Sequence, residues 1–381
     1  MMVKLGDIAS YVNGYAFKPS DWSDEGLPII RIQDLTGNSY QANRYNGAYH
    51  PKYEVNEGDV LISWSASLGV YVWKGERAVL NQHIFKVVFD KEEVDKSYFV
   101  HQVQNILENA ASEAHGATMK HLTKPVFDAL PFYLPTIEQQ KEIACVLDRV
   151  SELIALRKEQ LVKLDQLIKS RFVEMFGDGR DDRFSIKTLS QIISQNKHAL
   201  KRGPFGGALK KDDFVESGFL VYEQRHAIHN DFAYEKYYIT PEKYQEMIMF
   251  SVVPGDLIIS CSGVTLGRIA EIPIFAKKGI INQALLKVSL DQSVMTNTFF
   301  IHQFRSERVQ DILFGFCRGS GIPNFPSMSE VKAVPFICPP IAMQKQFATF
   351  VEQTEKTKLT IQSSLDKLEV LKKSLMQDYF Y

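Results

Sequence analysis

The hexapeptide Gly58 to Ser63 (GDVLIS) returns as Gly255 to Ser260 (GDLIIS), and two more landmarks follow it in the same order. Asn81-Gln82 recurs as Asn282-Gln283, and Pro131 to Pro135 (PFYLP) recurs as Pro335 to Pro339 (PFICP). Each PFxxP copy runs into a long amphipathic pattern, so the repeating unit is a globular segment followed by a helix. The copies are offset by 197 residues at Gly58 and Gly255, by 201 at Asn81 and Asn282, and by 204 at Pro131 and Pro335. From Gln140 and Gln344 to Phe176 and Phe380 the offset stays at 204. Loops absorb insertions at little cost, whereas one extra residue in a paired helix turns every later apolar side chain off its seam. The helices are therefore the register-critical part.

With 381 residues and 45% apolar content, the chain can bury two ordinary cores. Its formal net charge of -1 excludes a histone-like basic binder but not a DNA protein whose basic residues share one face. No run approaches the length of a membrane span, and the start lacks a signal-peptide pattern, so a soluble, cytoplasmic protein is expected. Cys145, Cys261, Cys317 and Cys338 stand apart, which predicts reduced thiols and no zinc site.

Short apolar runs with turn residues between them predict strands over Pro28 to Ile32, Val60 to Trp64, Val70 to Trp73 and Ile84 to Phe89, then a helix from Tyr98 to Ala111. The second copy predicts strands over Leu257 to Cys261, Arg268 to Ile272 and Ala284 to Val288, and a helix near Thr298 to Leu313. Thr136 and Gln139 form a capping box after Pro135, and Ile143, Leu147, Val150, Ile154, Leu161, Leu164, Ile168 and Met175 continue the helical stripe. Phe347, Val351, Thr354, Ile361, Leu365, Leu368, Leu371 and Leu375 form the second stripe; Arg157, Arg171, Lys358 and Lys372 interrupt the two. The reading is α+β: a domain over 1–135, a helix over 136–176, a linker over 177–183, a domain over 184–338 and a helix over 339–381. The first helix would be about 60 Å long, and the linker reaches at most about 30 Å. The second domain must then start near the far end of the first helix, which predicts two β-rich lobes separated by an antiparallel coiled-coil pair with an approximate two-fold.

Catalytic fragments are weak. Phe176-Gly177-Asp178-Gly179 matches a cofactor loop only in letters, because it follows a helix, so Gly177 reads as a helix cap. Glu330-Val331-Lys332 has nuclease spacing without the other acidic residues, and reads as a surface charge pair. Phosphate-loop, amino-methyltransferase and HExxH motifs do not occur. Binding chemistry is richer: Lys197, His198, Lys201, Arg202, Lys210, Lys211, Arg225 and His226 gather in one copy, and Arg31, Gln33, Arg44, Lys120, His121 and Lys124 in the other. Such side chains hold phosphates, and arginine, asparagine and glutamine also read base edges. Asn81, Gln82, Asn282 and Gln283 serve either a strand start or a DNA contact. The loops holding Lys120, and Ser320 with Asn324, are glycine-rich and suited to close approach. Phe17, Tyr40 and Phe205 either stack on bases or pack in the core.

The ordered duplicate of GD[VL][LI]IS, the NQ step, the GSGIPNF loop and PFYLPTIEQQ resembles the specificity subunit of type I restriction-modification systems over the whole chain. The resemblance implies two target recognition domains, each reading half of a bipartite double-stranded DNA site, with helices that set the gap and dock two methyltransferase subunits. It implies docking roles for Gln139, Gln140, Arg157, Arg171, Gln344 and Lys358. It also implies no cofactor in this chain: S-adenosylmethionine, ATP and Mg would serve the adenine-N6 methyltransferase and restriction subunits. Two other readings stay open, a fragment or partner of a single-chain methyltransferase and a two-lobed scaffold that binds no DNA. If the lobes read independently, replacing Arg225 or Gln283 changes one half of the methylated sequence; a methylome in which both halves change would contradict it.

Overall fold

A computed structural model describes residues 1–37, 43–65, 67–113, 123–177, 183–263, 265–315 and 325–380. It divides into two compact units: unit 1 comprises residues 1–159 and 362–381, and unit 2 comprises residues 160–361. Unit 1 contains β1 (Met2–Lys4), β2 (Ser10–Asn13), β3 (Leu27–Ile30), β4 (Arg44–Tyr45), β5 (Glu54–Val55), β6 (Val60–Ser63), β7 (Gly69–Val72), β8 (Ala78–Leu80), β9 (Ile84–Val88) and β10 (Pro131–Tyr133). Unit 2 contains β11 (Ser185–Thr188), β12 (Leu200–Arg202), β13 (Phe219–Tyr222), β14 (Tyr238–Ile239), β15 (Ser251–Val252), β16 (Leu257–Ser260), β17 (Ile269–Glu271), β18 (Gly279–Ile281), β19 (Leu285–Val288) and β20 (Pro335–Cys338).

The repeat extends to strand order. Unit 1 has sheets β2-β9-β6-β7, β4-β3-β8-β5 and β1-β10; unit 2 has β12-β19-β16-β17, β14-β13-β18-β15 and β11-β20. Among the described strands one pair in each unit is parallel, β3 with β8 and β13 with β18. The PFxxP segment forms the strand that pairs with the opening strand of its own copy, Phe132 opposite Val3 and Phe336 opposite Lys187.

The GD[VL][LI]IS motif has a physical explanation. Gly58 and Gly255 have φ of +86° and +89°, a left-handed backbone that glycine adopts without strain. Asp59 closes the turn by accepting the Asn56 N–H at 2.9 Å, and Asp256 does the same for Val253 at 2.9 Å. The glycine carbonyls accept Lys96 Nζ at 2.8 Å and Asn297 Nδ2 at 2.7 Å, which fastens the turn to the following helix. The apolar run that follows is continuous because both sheet faces are covered. Val60 and Ile62 enter one core cluster and Leu61 another, as Leu257 and Ile259 do against Ile258.

The helices are α1 (Leu5–Ile8), α2 (Ile32–Leu35), α3 (Lys96–Glu113), α4 (Lys124–Asp128), α5 (Ile137–Phe176), α6 (Leu189–Ile192), α7 (Gln224–His229), α8 (Pro241–Glu246), α9 (Asn297–Phe304), α10 (Glu307–Phe314), α11 (Met328–Ala333) and α12 (Ile341–Phe380). Thr136 and Gln139 make the expected reciprocal cap on α5, at 3.3 and 3.4 Å. At its other end Gly177 has φ +74° and donates to the Val173 carbonyl at 2.8 Å. Within unit 2, Lys358 of α12 pairs with Asp165 of α5 at 2.7 Å, while Phe347 lies 5.4 Å from Phe172. Numbers rise along one helix as they fall along the other, so the helices are antiparallel. In unit 1 the same two helices are linked by Lys158 and Glu369 at 2.8 Å, and Ala144, Leu147, Met376 and Phe380 share one core. Both unit boundaries fall inside these continuous helices. Among the described residues, no helix is long and apolar enough to cross a membrane.

Four expectations need correction. The strand over Pro28 to Ile32 ends at Ile30, because Asp34 accepts the Arg31 N–H at 2.8 Å and starts α2. The helix near Thr298 to Leu313 is two helices, broken where Ser306 donates to Gln303 at 2.6 Å and caps α10. Leu371 is 45% exposed, and the covered face of α12 passes through half-buried Lys372 and buried Met376 instead. Glu330 does not pair with Lys332: its carboxylate caps α11 by accepting from Ser327 at 2.8 Å (N–H) and 2.7 Å (O–H).

Glycine substitutions separate conformation from crowding. An alanine Cβ at Gly255 meets nothing within 4 Å, so G255A costs only the left-handed backbone, about 1–2 kcal/mol. At Gly203 the Cβ would lie 1.8 Å from the Asn282 carbonyl oxygen, so G203A must displace backbone and lowers the thermal midpoint further. Equal midpoints for the two variants would contradict this.

Candidate nucleic-acid interface

In each unit three chain segments converge on the Asn-Gln step. In unit 1, Asn81 joins β8 to β9, its N–H donating to the Ile30 carbonyl at 3.1 Å, and Gln82 N–H donates to Tyr15 at 2.8 Å. Gly14 packs so closely that a Cβ there would lie 2.0 Å from the Asn81 carbonyl oxygen. Unit 2 repeats this with Asn282 N–H on the Tyr222 carbonyl at 2.9 Å and Gly203 against Asn282. The asparagine side chains serve the turn, accepting the Gln82 N–H at 2.9 Å and the Ala284 N–H at 3.0 Å. The Gln82 side chain is half-buried and that of Gln283 exposed, and neither is in a hydrogen bond among the described residues.

The segments beside this step carry the basic residues. In unit 1, Arg31 precedes α2 with its guanidinium 4.4 Å from the Trp22 ring centroid, and Gln33 lies half-buried in α2. Arg44 holds a sheet edge, donating to Gly26 at 2.7 Å and pairing with Glu76 at 2.9 Å. Lys124 pairs with Asp128 at 2.7 Å along α4. Phe17 belongs to a surface aromatic group with Tyr15 at 5.0 Å and Tyr45 at 4.9 Å.

Unit 2 concentrates positive charge. Lys201 on β12 lies opposite Lys287 on β19, an unfavourable cross-strand pair. Burial, with Lys201 adding to it, pushes the Lys287 ammonium below its ordinary value against the pull of Asp256. Its Nζ donates to the Ser251 carbonyl at 2.7 Å. Desolvation first, then Lys197, Lys201 and Lys287, lower the His198 imidazole from its usual range. Arg202 lies 4.9 Å from the Phe205 ring, and Phe205 is 63% exposed. Lys210 and Lys211 are exposed at a 3-10 turn closed by Asp213 on the Lys210 N–H at 2.6 Å. Exposed Arg225 sits over Tyr234 at 4.4 Å. The field is suited to phosphate oxygens.

The structure removes three residues from the surface. His226 is buried: Nδ1 accepts the Glu223 N–H at 2.9 Å and Nε2 bonds the Tyr234 carbonyl at 2.9 Å, so it caps α7 as Asp34 caps α2. Gln140 and Gln344, expected at a docking face, are 1% and 0% exposed. Gln140 accepts the Asp95 N–H at 2.9 Å and donates to Pro135 at 3.0 Å. Gln344 accepts the Thr296 N–H at 2.9 Å and donates to Val294 at 3.0 Å and Pro339 at 2.9 Å. Gln139 stays exposed in its cap, and Arg157 is half-buried. Arg171 lies 5.9 Å from the Phe350 ring of α12, and Lys358 pairs with Asp165. Lys120, His121, Tyr40, Ser320 and Asn324 lie outside the described residues, as does Cys317.

Sequence reasoning missed Tyr15, Trp64, His83 and Gln224, all beside the Asn-Gln step. Gln224 Nε2 donates to Ser262 at 3.0 Å (carbonyl) and 2.6 Å (hydroxyl), and Trp64 N–H donates to the His83 carbonyl at 3.3 Å. The available signal was the strand-ending glycine in Asn13-Gly14-Tyr15 and Arg202-Gly203-Pro204.

A family model described as the type I restriction modification DNA specificity domain matches residues 1–166. The chain is 28% identical over 172 residues to the type I restriction enzyme EcoBI specificity subunit of Escherichia coli, covering 44% of this chain and 36% of that protein. It is 22% identical over 395 residues to the type I restriction enzyme MjaVIII specificity subunit of Methanocaldococcus jannaschii, covering 98% and 90%. Among solved structures, the type I restriction-modification S subunit from M. genitalium superposes with a TM-score of 0.56 at 14% identity, over 100% of this chain and 96% of that one. A chain from a structure concerning complex assembly and conformational transition of the type I system gives 0.59 at 14%, over 99% and 96%. At that identity the two structures speak for the fold.

Replacing Gln140 by Ala leaves the Asp95 N–H and Pro135 carbonyl without that partner and lowers stability by about 2–3 kcal/mol. Q344A does the same in unit 2, whereas Q139A, at an exposed cap, costs about 1 kcal/mol or less. Denaturant unfolding measures the order; equal effects at Gln139 and Gln140 would sink the anchoring role.

Proposed function

We propose that the chain is a type I restriction-modification specificity subunit, the DNA-reading, non-catalytic component of such a complex, as the family match over residues 1–166 and the similarity to curated specificity subunits support. Each unit reads one half of a bipartite duplex target. The observation that carries this reading is one scaffold built twice with different side chains at the same convergence. Tyr15, Arg31, Gln82 and His83 occupy it in unit 1, and Arg202, Phe205, Arg225 and Gln283 in unit 2. A shared backbone with unlike polar edges suits two half-sites of unlike sequence, because hydrogen-bonding side chains discriminate base pairs while basic ones hold phosphates.

In this reading α5 and α12 set the unread gap and dock two adenine-N6 methyltransferase subunits, through which restriction subunits join. Gln139, Arg157, Arg171 and Lys358 remain the docking candidates on these helices. The partners supply the chemistry: S-adenosylmethionine gives the methyl group, and ATP with Mg drives restriction. A flipped adenine enters the partner's pocket. The complex acts on cytoplasmic DNA.

Long-read methylation sequencing of cells expressing this chain with its methyltransferase partner tests the reading. A split methylated sequence is expected; methylation without a split motif would remove it. Inserting four residues after Asp165 and four after Glu369, about one helical turn in each helix, should lengthen the gap and leave both half-sites unchanged. An unchanged gap would rule out the helices as the ruler.

A further inference from the structure

The Asn-Gln step is closed differently in the two units. In unit 2 the Asn282 side chain reaches past Gln283 to accept the Ala284 N–H. In unit 1 the Asn81 side chain stops one residue earlier, at the Gln82 N–H, and His83 has φ +74°. A left-handed backbone crowds any residue with a Cβ, though histidine tolerates it better than most. Among the described residues Asn230 is the other such case, and it ends α7 as an ordinary cap. His83 ends no helix.

The ring carries a second cost. Its Nδ1 is buried with no hydrogen-bond partner among the described residues. It packs edge-on to Trp64 at 5.0 Å, and Trp64 Nε1–H donates to Asn13 at 3.2 Å. Arg202, Cys261 and Ala284 hold the places of Asn13, Trp64 and His83 in unit 2; a buried Nε of Arg202 is also without a partner there, but Ala284 has no left-handed backbone, so the scaffold closes this turn without the conformation that His83 adopts. Local strain kept at a surface turn, beside a glutamine with a free amide, points to a contact made there.

We propose that the Gln82–His83 turn is the base-reading element of unit 1 and that His83 determines which base pair it accepts. The inference rests on the DNA-reading function above. Gln82 offers the paired donor and acceptor that match the N6 and N7 of adenine, and the left-handed residue beside it fixes the angle at which that amide is presented.

The test compares wild type, H83G and H83N, each with the methyltransferase partner, by methylation sequencing and thermal melting. Glycine takes the left-handed backbone freely and removes the unpartnered nitrogen, so H83G should melt no lower than wild type. It should relax the preference at one position of the first half-site by at least about tenfold and leave the second unchanged. H83N keeps the left-handed geometry with another side chain and should shift the first half-site preference. An unchanged motif in both variants would overturn the proposal. So would an H83G that melts lower and loses both half-sites, the signature of a purely structural residue. A wild-type complex that methylates no split sequence would count against the DNA-reading function itself.

Discussion

A buried amide near the start of each long helix is the contact on which the rest depends. Gln140 and Gln344 each join three pieces of one unit: the helix, the PFxxP strand before it, and the segment that starts α3 or α9. Amides buried at this depth are stable only when both ends are bonded. The bonds therefore fix the direction in which each helix leaves its own sheets. Any role for the helices as spacers, or for the surface turns as readers, presupposes that direction.

The two units diverge where the amides and the GD turns do not constrain them. Lys86 and Lys287 both cross from the first sheet to a carbonyl on β5 or β15, at 2.7 Å in each case. Lys86 also has Asp59 at 2.9 Å, whereas Asp256 accepts from Ser289 at 2.5 Å and Lys287 faces Lys201. The strut is thus paired directly with its aspartate in unit 1, whereas in unit 2 Asp256 is bonded to Ser289 and acts on Lys287 only across space, with Lys201 opposing it. A scaffold that tolerates both states can change its surface potential without changing its strand order.

Much of the architecture was legible because repetition marks what the backbone needs. The glycine and aspartate of the GD turn, the Thr136 cap and Gly177 each satisfy a local rule visible in one sequence. The second sheet of each unit was mostly illegible: β4, β5, β14 and β15 are two residues long, too short for a period to emerge. Burial of Gln140, Gln344 and His226 depends on distant carbonyls and amides, so polar letters there read as surface. The residues in which the two turns differ were hardest to see for the same reason that the scaffold was easy. His83 and Ala284 differ because the two units differ there, and a search for repeats passes over such positions.

The unit boundary inside the long helices has a consequence for biosynthesis. Met376 and Phe380 belong to the core of unit 1, with Phe380 5.6 Å from Tyr98. Unit 2 is one contiguous stretch, residues 160–361, and can close its core as it leaves the ribosome. Unit 1, although translated first, keeps an apolar face open around Tyr98 and Leu147 until residues 362–381 have been made. The half of the protein that is begun first is therefore the half completed last, and a chain stalled within α12 exposes the core of the wrong end.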